Sequence, residues 1–379
     1  MGCSISSRVD IVRIWRTDHH QLAKNKLKMK SLLLQDHFIH FETSGFKLLT
    51  SFFRKQRYRS YVILVDENTL TKCLPRLITA APLLKEAAII ETESGETSKA
   101  IEVATNIWRT LSDLQADRST LFINLGGGVL TDLGGFCASL YKRGIPFIHI
   151  PTTLLAMADA SVGGKTAIDL DHLKNAVGNF SRPEAVFVDF DFLLTLPERQ
   201  INNGLAEIYK MALIRDAKLW KNFNESAIED LIFRSIQHKI QIVKKDPSDK
   251  DLRKILNFGH TLGHAVEGLS LAKGRDVLHG EAVVAGMIME AHISFAKRLL
   301  SKNEYLEIVK RLTERFAFVS LEGITSEEIQ HALVNDKKSS AGTLNFSLLE
   351  GIGACKWDQK VNWSLCEKAI IEYKRLSHG

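Results

Sequence analysis

The chain has 379 residues, 45% of them hydrophobic and 25% charged, a composition typical of a soluble globular protein long enough for two domains. It has no apolar run of about 18 residues, which argues against a membrane span, and its five scattered cysteines are typical of reduced thiols in a cytosolic protein. Most of the net charge of +6 lies in residues 1–30, which carry +5, so the nearly neutral remainder gives no support for nucleic-acid binding.

The first 28 residues form a basic segment that we predict to be a disordered extension. It lacks the long apolar core of a secretory signal. Met1 to Ser6 match the short N-myristoylation pattern, with Cys3 as a second acylation position, but so short a pattern is often matched by chance. A start at Met29 and an organellar targeting segment are alternatives that the sequence leaves open.

From residue 31 onward, apolar runs typical of strands alternate with stretches typical of helices. The run 61–65 is wholly apolar and ends on Asp66, as expected of a buried parallel strand followed by a polar loop. A helix is predicted at 96–114, and further strands at 88–90, 121–125 and 147–150. This alternation predicts an α/β fold with a doubly wound sheet, in which ligands bind beyond the carboxyl ends of the strands.

Three consecutive glycines, Gly126 to Gly128, follow the third predicted strand. Glycines there let backbone N–H groups approach a phosphate, and the start of a predicted helix at 129–141, with Asp132 in its first turn, adds a favourable dipole. The spacing is not that of the G-x-G-x-x-G dinucleotide fingerprint. A tight turn that needs glycine for packing is therefore an equally good explanation.

A dense polar stretch follows the strand at 147–150. It contains Asp159, the glycine pair at 163–164, Lys165, Lys174 and Asn175. Lysine is a compact point charge suited to phosphate or carboxylate. A lysine beside a glycine pair after a buried strand therefore predicts an anion-binding loop, with an ordinary solvated loop as the alternative.

Three histidines, His260, His264 and His279, lie among small residues. The four-residue spacing of His260 and His264 places both imidazoles on one face if 261–269 is helical. Two histidines with one carboxylate are a frequent catalytic zinc set, and the spacing alone does not identify that carboxylate. A hydrogen-bonded pair of helix histidines is the alternative.

Motifs in seven places, in one order, resemble those of the 3-dehydroquinate synthase family. They lie at 126–132, 143–145, 151–166, 174–175, 204–207, 257–261 and 279–281. The resemblance extends from about residue 66 to about residue 355. It implies an N-terminal, doubly wound NAD-binding α/β domain and a largely α-helical C-terminal domain for metal and substrate. The change in sequence pattern places these domains at 29–190 and 191–379.

The resemblance also supplies the missing metal ligand. Glu207 matches the family's zinc ligand, with His260 and His279 as the other two, and the metal would be zinc or cobalt. His264 then corresponds to a histidine that contacts substrate and handles protons. Three protein ligands leave room on the metal for adjacent hydroxyls of a sugar-like substrate.

The remaining site residues are assigned by the same resemblance. The implied NAD contacts are Asp66, Asn68, Glu96, Lys99, Gly127, Gly128, Asp132, Thr152, Thr153, Lys165, Lys174, Phe192 and Thr195. The implied substrate contacts are Asp159, Lys165, Asn175, Lys239, Arg253, Asn257, His264 and Lys338 or its neighbour Lys337, with Arg143 reaching the partner's site in a homodimer. Such a set of cations suits a substrate that carries both a carboxylate and a phosphate.

The implied reaction converts 3-deoxy-D-arabino-heptulosonate 7-phosphate to 3-dehydroquinate and phosphate, as a cytoplasmic step of the shikimate pathway. NAD would oxidise a secondary alcohol transiently, phosphate would be eliminated, the hydride would return and an intramolecular aldol step would close the ring. NAD would thus act catalytically without being consumed.

Three alternatives remain open. A related cyclase would make a 2-epi-5-epi-valiolone or 2-deoxy-scyllo-inosose ring, but the Gly-Gly-Lys-Thr sequence at 163–166 and His264 favour the heptulosonate reaction. A metal-dependent alcohol or glycerol dehydrogenase would not need the predicted cluster of cations. A non-catalytic binding paralogue is disfavoured because neither Lys165 nor any of the implied metal ligands is missing.

Overall fold

The computed structural model of the protein describes residues 30–42, 46–170, 173–336 and 343–377. The predicted extension 1–28 lies outside the described residues, as do Lys337 and Lys338. None of the helices described combines the length and apolarity needed to cross a membrane. The described chain divides into two compact units: residues 30–201 with Ile232–Lys244, and Asn202–Leu231 with the residues from 245 onward. The domain limits given above, 29–190 and 191–379, stay a prediction beside this division.

The unit that contains residues 30–201 is built on a β-sheet. Its strands are β1 Leu32–Leu34, β2 His37–Glu42, β3 Ser60–Asp66, β4 Ala88–Thr92, β5 Thr120–Gly126, β6 Phe147–Pro151, β7 Lys165–Leu170, β8 Leu173–Phe180 and β9 Ala185–Asp189. Seven of them form one sheet in the order β1-β2-β9-β6-β5-β3-β4, and β7 pairs with β8 separately. Within the large sheet only β1 runs antiparallel to its neighbour.

Long apolar runs explain the central strands. Strands β5, β6 and β9 are buried along their whole length, as expected of parallel strands that are covered on both faces. The strands predicted at 61–65, 88–90, 121–125 and 147–150 lie within β3, β4, β5 and β6. The predicted α/β class is therefore confirmed.

Helices α1 Lys47–Lys55, α2 Glu67–Lys72, α3 Leu74–Ala80, α4 Ile101–Asp113 and α5 Gly128–Leu140 belong to the same unit. Side chains of β3, β5, α4 and α5, among them Leu64, Phe122 and Phe136, form its hydrophobic core. The helix predicted at 96–114 is shorter in the structure. Glu96–Ser98 form a separate 3₁₀ turn, because Gly95 has a φ of 103° and the backbone leaves helical geometry again before Ile101.

The polar stretch expected to be a loop is largely a β-hairpin. Lys165 is the first residue of β7, and Lys174 and Asn175 lie on β8. The β-branched Thr166 and Ile168 in β7 favour this strand, since such side chains pack well on a pleated surface. Lys165 pairs with Phe180 across this hairpin, whereas Lys174 and Asn175 lie where its pairing register is irregular.

The second unit is mainly helical, which confirms the predicted character of the C-terminal part. The remaining α-helices among the described residues are α6 Glu198–Arg215, α7 Ala217–Lys221, α8 Ile228–Lys245, α9 His260–Ala272, α10 His279–Ala296, α11 Lys302–Arg315, α12 Ser326–Asp336 and α13 Trp363–Ser377. Most of α8, Ile232–Lys244, belongs to the sheet-containing unit. One antiparallel hairpin, β10 Thr343–Leu349 with β11 Cys355–Asn362, completes the described part. Helix α10 is buried on nearly all sides, as its apolar sequence requires.

Candidate active site

Three side chains from three helices meet in the helical unit: Glu207 from α6, and His260 and His279, the first residues of α9 and α10. Oε1 of Glu207 lies 3.5 Å from Nε2 of His260 and 3.4 Å from Nε2 of His279. Ligand atoms bonded at about 2.0–2.1 Å to a tetrahedral zinc lie about 3.3–3.4 Å apart. The two separations therefore match edges of a tetrahedral zinc site.

His264, one helical turn after His260, belongs to the same cluster. Its ring centroid lies 5.1 Å from that of His260 and 5.7 Å from that of His279. One nitrogen from each of the three imidazoles lies within 4.8 Å of the others. The four-residue spacing thus does place both α9 imidazoles on one face, and the cluster offers one more donor than the three implied ligands.

Each of the two histidines that begin a helix is oriented by a protein acceptor. Nδ1 of His260 lies 3.2 Å from the carbonyl oxygen of Phe258, and Nδ1 of His279 lies 3.2 Å from Oε2 of Glu267. A histidine that donates through Nδ1 presents the lone pair of Nε2, which is the tautomer that a metal requires there. Glu267 was not predicted from the sequence, because twelve residues separate it from His279.

Lys210 is a second residue of this cluster that was not predicted. Lys210 and Glu207 are each 2% exposed and form an ion pair three residues apart on α6. Burial opposes ionisation of Glu207, but Lys210 and His279 outweigh burial and lower the pKa of the carboxyl to about 2. The Glu-x-x-Lys spacing was an available signal, since side chains three residues apart share a helix face.

The two helix-start histidines differ in charge. Burial, with the positive charge of Lys210, holds the pKa of His260 well below its usual value. Burial also disfavours the charged form of His279, but Glu207 and Glu267 outweigh it and raise its pKa to about 10. A metal ion binding here would displace a proton from His279.

A divalent metal fits this group of donors. Glu207 is buried, and among the residues described no well-aligned hydrogen bond reaches its carboxylate oxygens, although Lys210 forms the ion pair with Oε2. Lys210 pairs with Oε2, so Oε1, which faces both imidazoles, is the oxygen available to a metal. Imidazole nitrogen and carboxylate oxygen are both donors that zinc accepts, and three protein ligands leave coordination positions open.

In the sheet-containing unit, Gly127 and Gly128 stand at the start of α5. A Cβ at Gly127 would lie 3.1 Å from Cγ2 of Thr153, and one at Gly126 would lie 2.2 Å from Cδ1 of Leu130. A side chain at Gly126 would therefore force a rearrangement, and one at Gly127 would make a tight contact. The start of α5 at Gly127 and Gly128 has the backbone donors and the dipole that suit a phosphate.

Lys99, a predicted NAD contact, binds both Asp132, another predicted NAD contact, and Asn175, a predicted substrate contact. It is 3% exposed, its Nζ lies 2.9 Å from Oδ2 of Asp132, and it also donates to Oδ1 of Asn175. Burial disfavours its charge, but Asp132 and Glu96 outweigh burial and raise the pKa of Lys99. Asn175 has a left-handed backbone (φ 52°) and donates its N–H to Oδ1 of Asp169 at 2.6 Å.

Other predicted NAD contacts lie at the carboxyl ends of β3 and β6. Asp66 ends β3 and caps α2, accepting the N–H of Thr69 at 2.7 Å, and Asn68 is exposed on that helix. Thr152 and Thr153 follow β6, with Thr152 buried. Both strands pair in parallel with β5, which lies between them, so these positions lie at the same edge of the sheet.

Phe192, Thr195 and Lys174 complete the predicted NAD contacts. The ring of Phe192 is buried and lies 5.8 Å from that of Phe46, so most of the side chain contributes to the core. The hydroxyl of Thr195 donates to the carbonyl of Phe192 at 3.3 Å. Nζ of Lys174 lies 3.7 Å from Oε1 of Glu96.

Asp159 and Lys239, both predicted substrate contacts, form an ion pair although they lie 80 residues apart. Nζ of Lys239 is 2.7 Å from Oδ1 and 2.7 Å from the carbonyl oxygen of Asp159. Asp159 lies in a π-helical turn, Ala156–Ala160, a conformation that is frequent at functional sites. Lys165 is exposed at the start of β7.

Arg253 and Asn257 lie in the helical unit, in the 3₁₀ segment Leu252–Asn257. Arg253 is 3% exposed, its Nη1 donates to the carbonyl of Pro247 at 3.0 Å, and its backbone N–H donates to Asp246 at 3.0 Å. Backbone and guanidinium are thus both anchored. The metal cluster belongs to this same unit. The Lys99 group, which is Lys99 with Asp132 and Asn175, and the Asp159–Lys239 pair belong to the sheet-containing unit.

Arg143 lies on an exposed corner after α5. Lys142 and Arg143 both have positive φ, 49° and 65°, and Gly144 follows with 108°. Arg118 donates to the carbonyl oxygen of Lys142 at 3.1 Å. The corner therefore presents the exposed Arg143 from a strained but supported backbone.

Two family models match the chain: the 3-dehydroquinate synthase N-terminal model over residues 89–203 and the 3-dehydroquinate synthase C-terminal model over residues 204–339. The 3-dehydroquinate synthase of Parabacteroides distasonis is 38% identical over 332 residues, which cover 86% of this chain and 93% of that protein.

Two solved structures are similar in fold. One is 2-deoxy-scyllo-inosose synthase complexed with carbaglucose-6-phosphate, NAD+ and Co2+, with a TM-score of 0.81, 26% identity, and coverage of 90% of this chain and 99% of that one. The other is 2-epi-5-epi-valiolone synthase from Streptomyces hygroscopicus with NAD+ and Zn2+, with a TM-score of 0.79, 25% identity, and coverage of 93% and 99%.

Proposed function

Because the chain belongs to the 3-dehydroquinate synthase family, as its motifs predicted, we propose that it converts 3-deoxy-D-arabino-heptulosonate 7-phosphate to 3-dehydroquinate and phosphate. The reaction makes it a carbon–oxygen lyase. The observation that carries the proposal is the placement of Oε1 of Glu207 within 3.5 Å of Nε2 of both His260 and His279. A buried carboxylate and two oriented imidazoles suit chemistry at a metal-bound sugar hydroxyl.

NAD and a zinc or cobalt ion are the proposed cofactors. The donor geometry supports the metal, and the two solved relatives are described with NAD+ and either Co2+ or Zn2+. Glu207, His260 and His279 would hold the ion, and the Gly127–Gly128 turn with the Lys99 group would bind NAD. When bound, NAD supplies hydride transfer and the metal polarises the substrate hydroxyl.

The chain's own residues would bind the substrate's two anions and move its protons. Arg253 has the planar fork that binds a carboxylate through two parallel hydrogen bonds, and its anchored backbone keeps that fork in place. Lys239 and Lys165 supply point charges. His264, one turn from His260, would act as general acid and base.

The proposed assembly is a cytoplasmic homodimer in which Arg143 reaches the partner's substrate site. Two consecutive residues with positive φ, Lys142 and Arg143, support this role, since such strain costs about 1–3 kcal/mol per residue and is concentrated at functional positions. Lys338 or Lys337 would complete the substrate contacts. The four cysteines described, none of which forms a disulfide, suit a reducing compartment.

A related sugar phosphate cyclase is the second candidate, because both solved relatives reported above are such enzymes, with TM-scores of 0.81 and 0.79. The synthase is preferred because its identity to this chain is higher, 38% against 26% and 25%. The cations Lys239 and Arg253, which suit the carboxylate of the heptulosonate, agree with that preference.

Phosphate release from the heptulosonate, followed by identification of the organic product, tests the proposal. We expect phosphate and dehydroquinate in a reaction that is abolished by a chelator and needs only catalytic NAD. Glu207→Ala protein, prepared in the same way, controls for contaminating phosphatase. Release from sedoheptulose 7-phosphate or glucose 6-phosphate instead would assign a related cyclase.

A further inference from the structure

We propose that Glu290 and Asn203 are positioning residues that hold the three metal-binding side chains in register. Each ties the start of one ligand-bearing helix to another ligand-bearing helix. The inference rests on the proposed metal site at Glu207, His260 and His279. It concerns residues that do not themselves reach the metal.

Glu290 of α10 secures the start of α9. Its Oε2 accepts the N–H of Gly259 at 2.6 Å and its Oε1 accepts the N–H of Leu262 at 3.0 Å. Gly259 has a φ of 80° and no side chain with which to cap the helix. The carboxylate that satisfies the first turn of α9, where His260 stands, therefore comes from the helix that begins with His279.

Asn203 of α6 secures the start of α10. Its Oδ1 accepts the N–H of Gly280 at 2.6 Å, directly after His279. The residue before α10, Leu278, has no side-chain oxygen to accept that N–H. Asn203 precedes Glu207 by four residues, so both project from one face of α6. The backbone beside His279 is thus fixed from the helix that carries Glu207.

These two hydrogen-bonded links form a chain of helices, from α6 through α10 to α9. Glu290 is fully buried and Asn203 is 6% exposed, so the N–H groups that they accept are bonded away from bulk water. Losing one would leave buried N–H groups unpaired beside a histidine and let that helix start move. Because both histidines are the first residues of their helices, such a movement would change the distances between ligand nitrogens directly.

The test measures metal binding in Glu290→Gln and Asn203→Ala. Zn2+ affinity is obtained by competition with a chromophoric chelator, and the visible absorption of the Co2+-loaded protein reports ligand geometry. We expect Zn2+ affinity to fall about ten- to a hundred-fold in each variant, the range seen when partners of ligands are removed. The intensity or position of the Co2+ bands should change as well.

Matched controls separate positioning from general stability. Glu42 is also buried and accepts two backbone N–H groups, of Leu49 at 2.7 Å and Leu48 at 3.2 Å, at the start of α1. Glu42→Gln should cost similar stability and leave Zn2+ affinity and the Co2+ spectrum unchanged. Asn202→Ala, which removes an acceptor of Arg315 from the same helix as Asn203, should do likewise.

The outcomes are distinct. Wild-type affinity and an unaltered Co2+ spectrum in both test variants would overturn the inference and make the two residues ordinary helix caps. If Glu290→Gln does not fold, Asn203→Ala decides the question alone. Wild-type protein that binds neither ion would contradict the proposed function itself, a result that the variants cannot imitate.

Discussion

His279 and His264 stand in one cluster, but the proposed roles predict different consequences of their loss. Nδ1 of His279 is anchored by Glu267 and its Nε2 lies 3.4 Å from Glu207, as expected of a ligand. We expect His279→Ala and Glu207→Ala to lose both metal and turnover. Their metal affinity should fall by more than the hundred-fold that removal of a residue hydrogen-bonded to a ligand can cause. His264→Ala should retain metal and react about a hundred- to ten-thousand-fold more slowly, the usual contribution of a general acid or base.

Metal content by elemental analysis and single-turnover rates check this prediction. His292→Ala is the matched control, since it removes an imidazole from the same helix as His279, where His292 contacts Tyr305 at 3.4 Å. Its metal content should match the wild type. A metal-free His264→Ala beside a metal-replete His279→Ala would reverse the assignment.

His149 predicts part of the pH dependence of stability. Burial, with a smaller contribution from His37, lowers its pKa to about 3. An unfolded histidine has a pKa near 6.5. As the pH falls from about 6.5 toward 3, the unfolded chain therefore binds a proton at this residue and the folded chain does not. The free energy of unfolding should therefore decrease over that interval, with His149 contributing a slope of up to about 1.4 kcal/mol per pH unit.

Urea unfolding at pH 7, 6, 5 and 4 measures that slope. His149→Gln, whose amide oxygen can accept the hydrogen bond from Asn124, should have a shallower dependence than the wild type. Equal slopes in the two proteins would show that His149 does not contribute.

Single residues of the site were predictable to different degrees. The four-residue spacing of His260 and His264 indicates a shared helix face, and the structure places their rings 5.1 Å apart. Glu207 lies 53 residues before His260, so no local pattern could join them, and only the family resemblance assigned it. Lys210 carried a local signal, its spacing from Glu207, but a buried Lys beside a ligand cannot be told from a surface ion pair by spacing alone.

Among the elements, α9 and α10 approach each other at their backbones, and Gly286 makes this contact possible. A Cβ there would lie 1.9 Å from the carbonyl oxygen of Gly259 and 2.7 Å from the nitrogen of Gly263. Gly286→Ala should therefore force the helices apart, at a cost of about 1–3 kcal/mol in the free energy of unfolding. Metal affinity should fall too, because these helices carry His260 and His279.

Gly268 provides the opposite control. It lies on α9, and a Cβ there would have nothing within 4 Å. Gly268→Ala should stabilise the protein by up to about 1 kcal/mol, the difference in helix propensity, with metal affinity unchanged. Denaturant unfolding and chelator competition on both variants measure the effects. Gly286→Ala with wild-type stability and affinity would contradict the close approach.

Elements with an unambiguous pattern were predicted well. The run at 61–65 is apolar, the run at 121–125 is apolar except for the buried Asn124, and burial on both faces of a parallel sheet is the state that satisfies them. The hairpin β7–β8 was not predicted, because its strands carry Lys165, Lys174 and Asn175 and much of β8 is exposed. Polar residues there indicate an exposed segment, and an exposed segment can be either a strand or a loop.

At the scale of the whole molecule, proposed metal binding and proposed NAD binding belong to different units of the chain. The ligands Glu207, His260 and His279 all lie in the helical unit, whereas the Gly127–Gly128 turn and Lys99 lie in the sheet-containing unit. The alternation of strands and helices was enough to predict the α/β unit, whereas the helical character of the second unit was implied only by the family resemblance. The way three distant helix positions converge depends on packing, which no single-sequence pattern records.

Removal of the metal should therefore lower the stability of the protein without abolishing NAD binding. A ligand that binds only the folded state stabilises it by about 2.7 kcal/mol at a hundred times its dissociation constant. We expect a chelator to lower the midpoint of thermal unfolding and added Zn2+ to restore it.

The midpoint of Glu207→Gln should rise little when Zn2+ is added, whereas NAD should raise the midpoint of both proteins. Glu207→Gln also leaves Lys210 buried without its carboxylate partner, which lowers stability by itself. This effect is the same with and without ligand, so it cancels when the two midpoints of one protein are compared. Equal stabilisation of wild type and Glu207→Gln by Zn2+ would place the metal elsewhere.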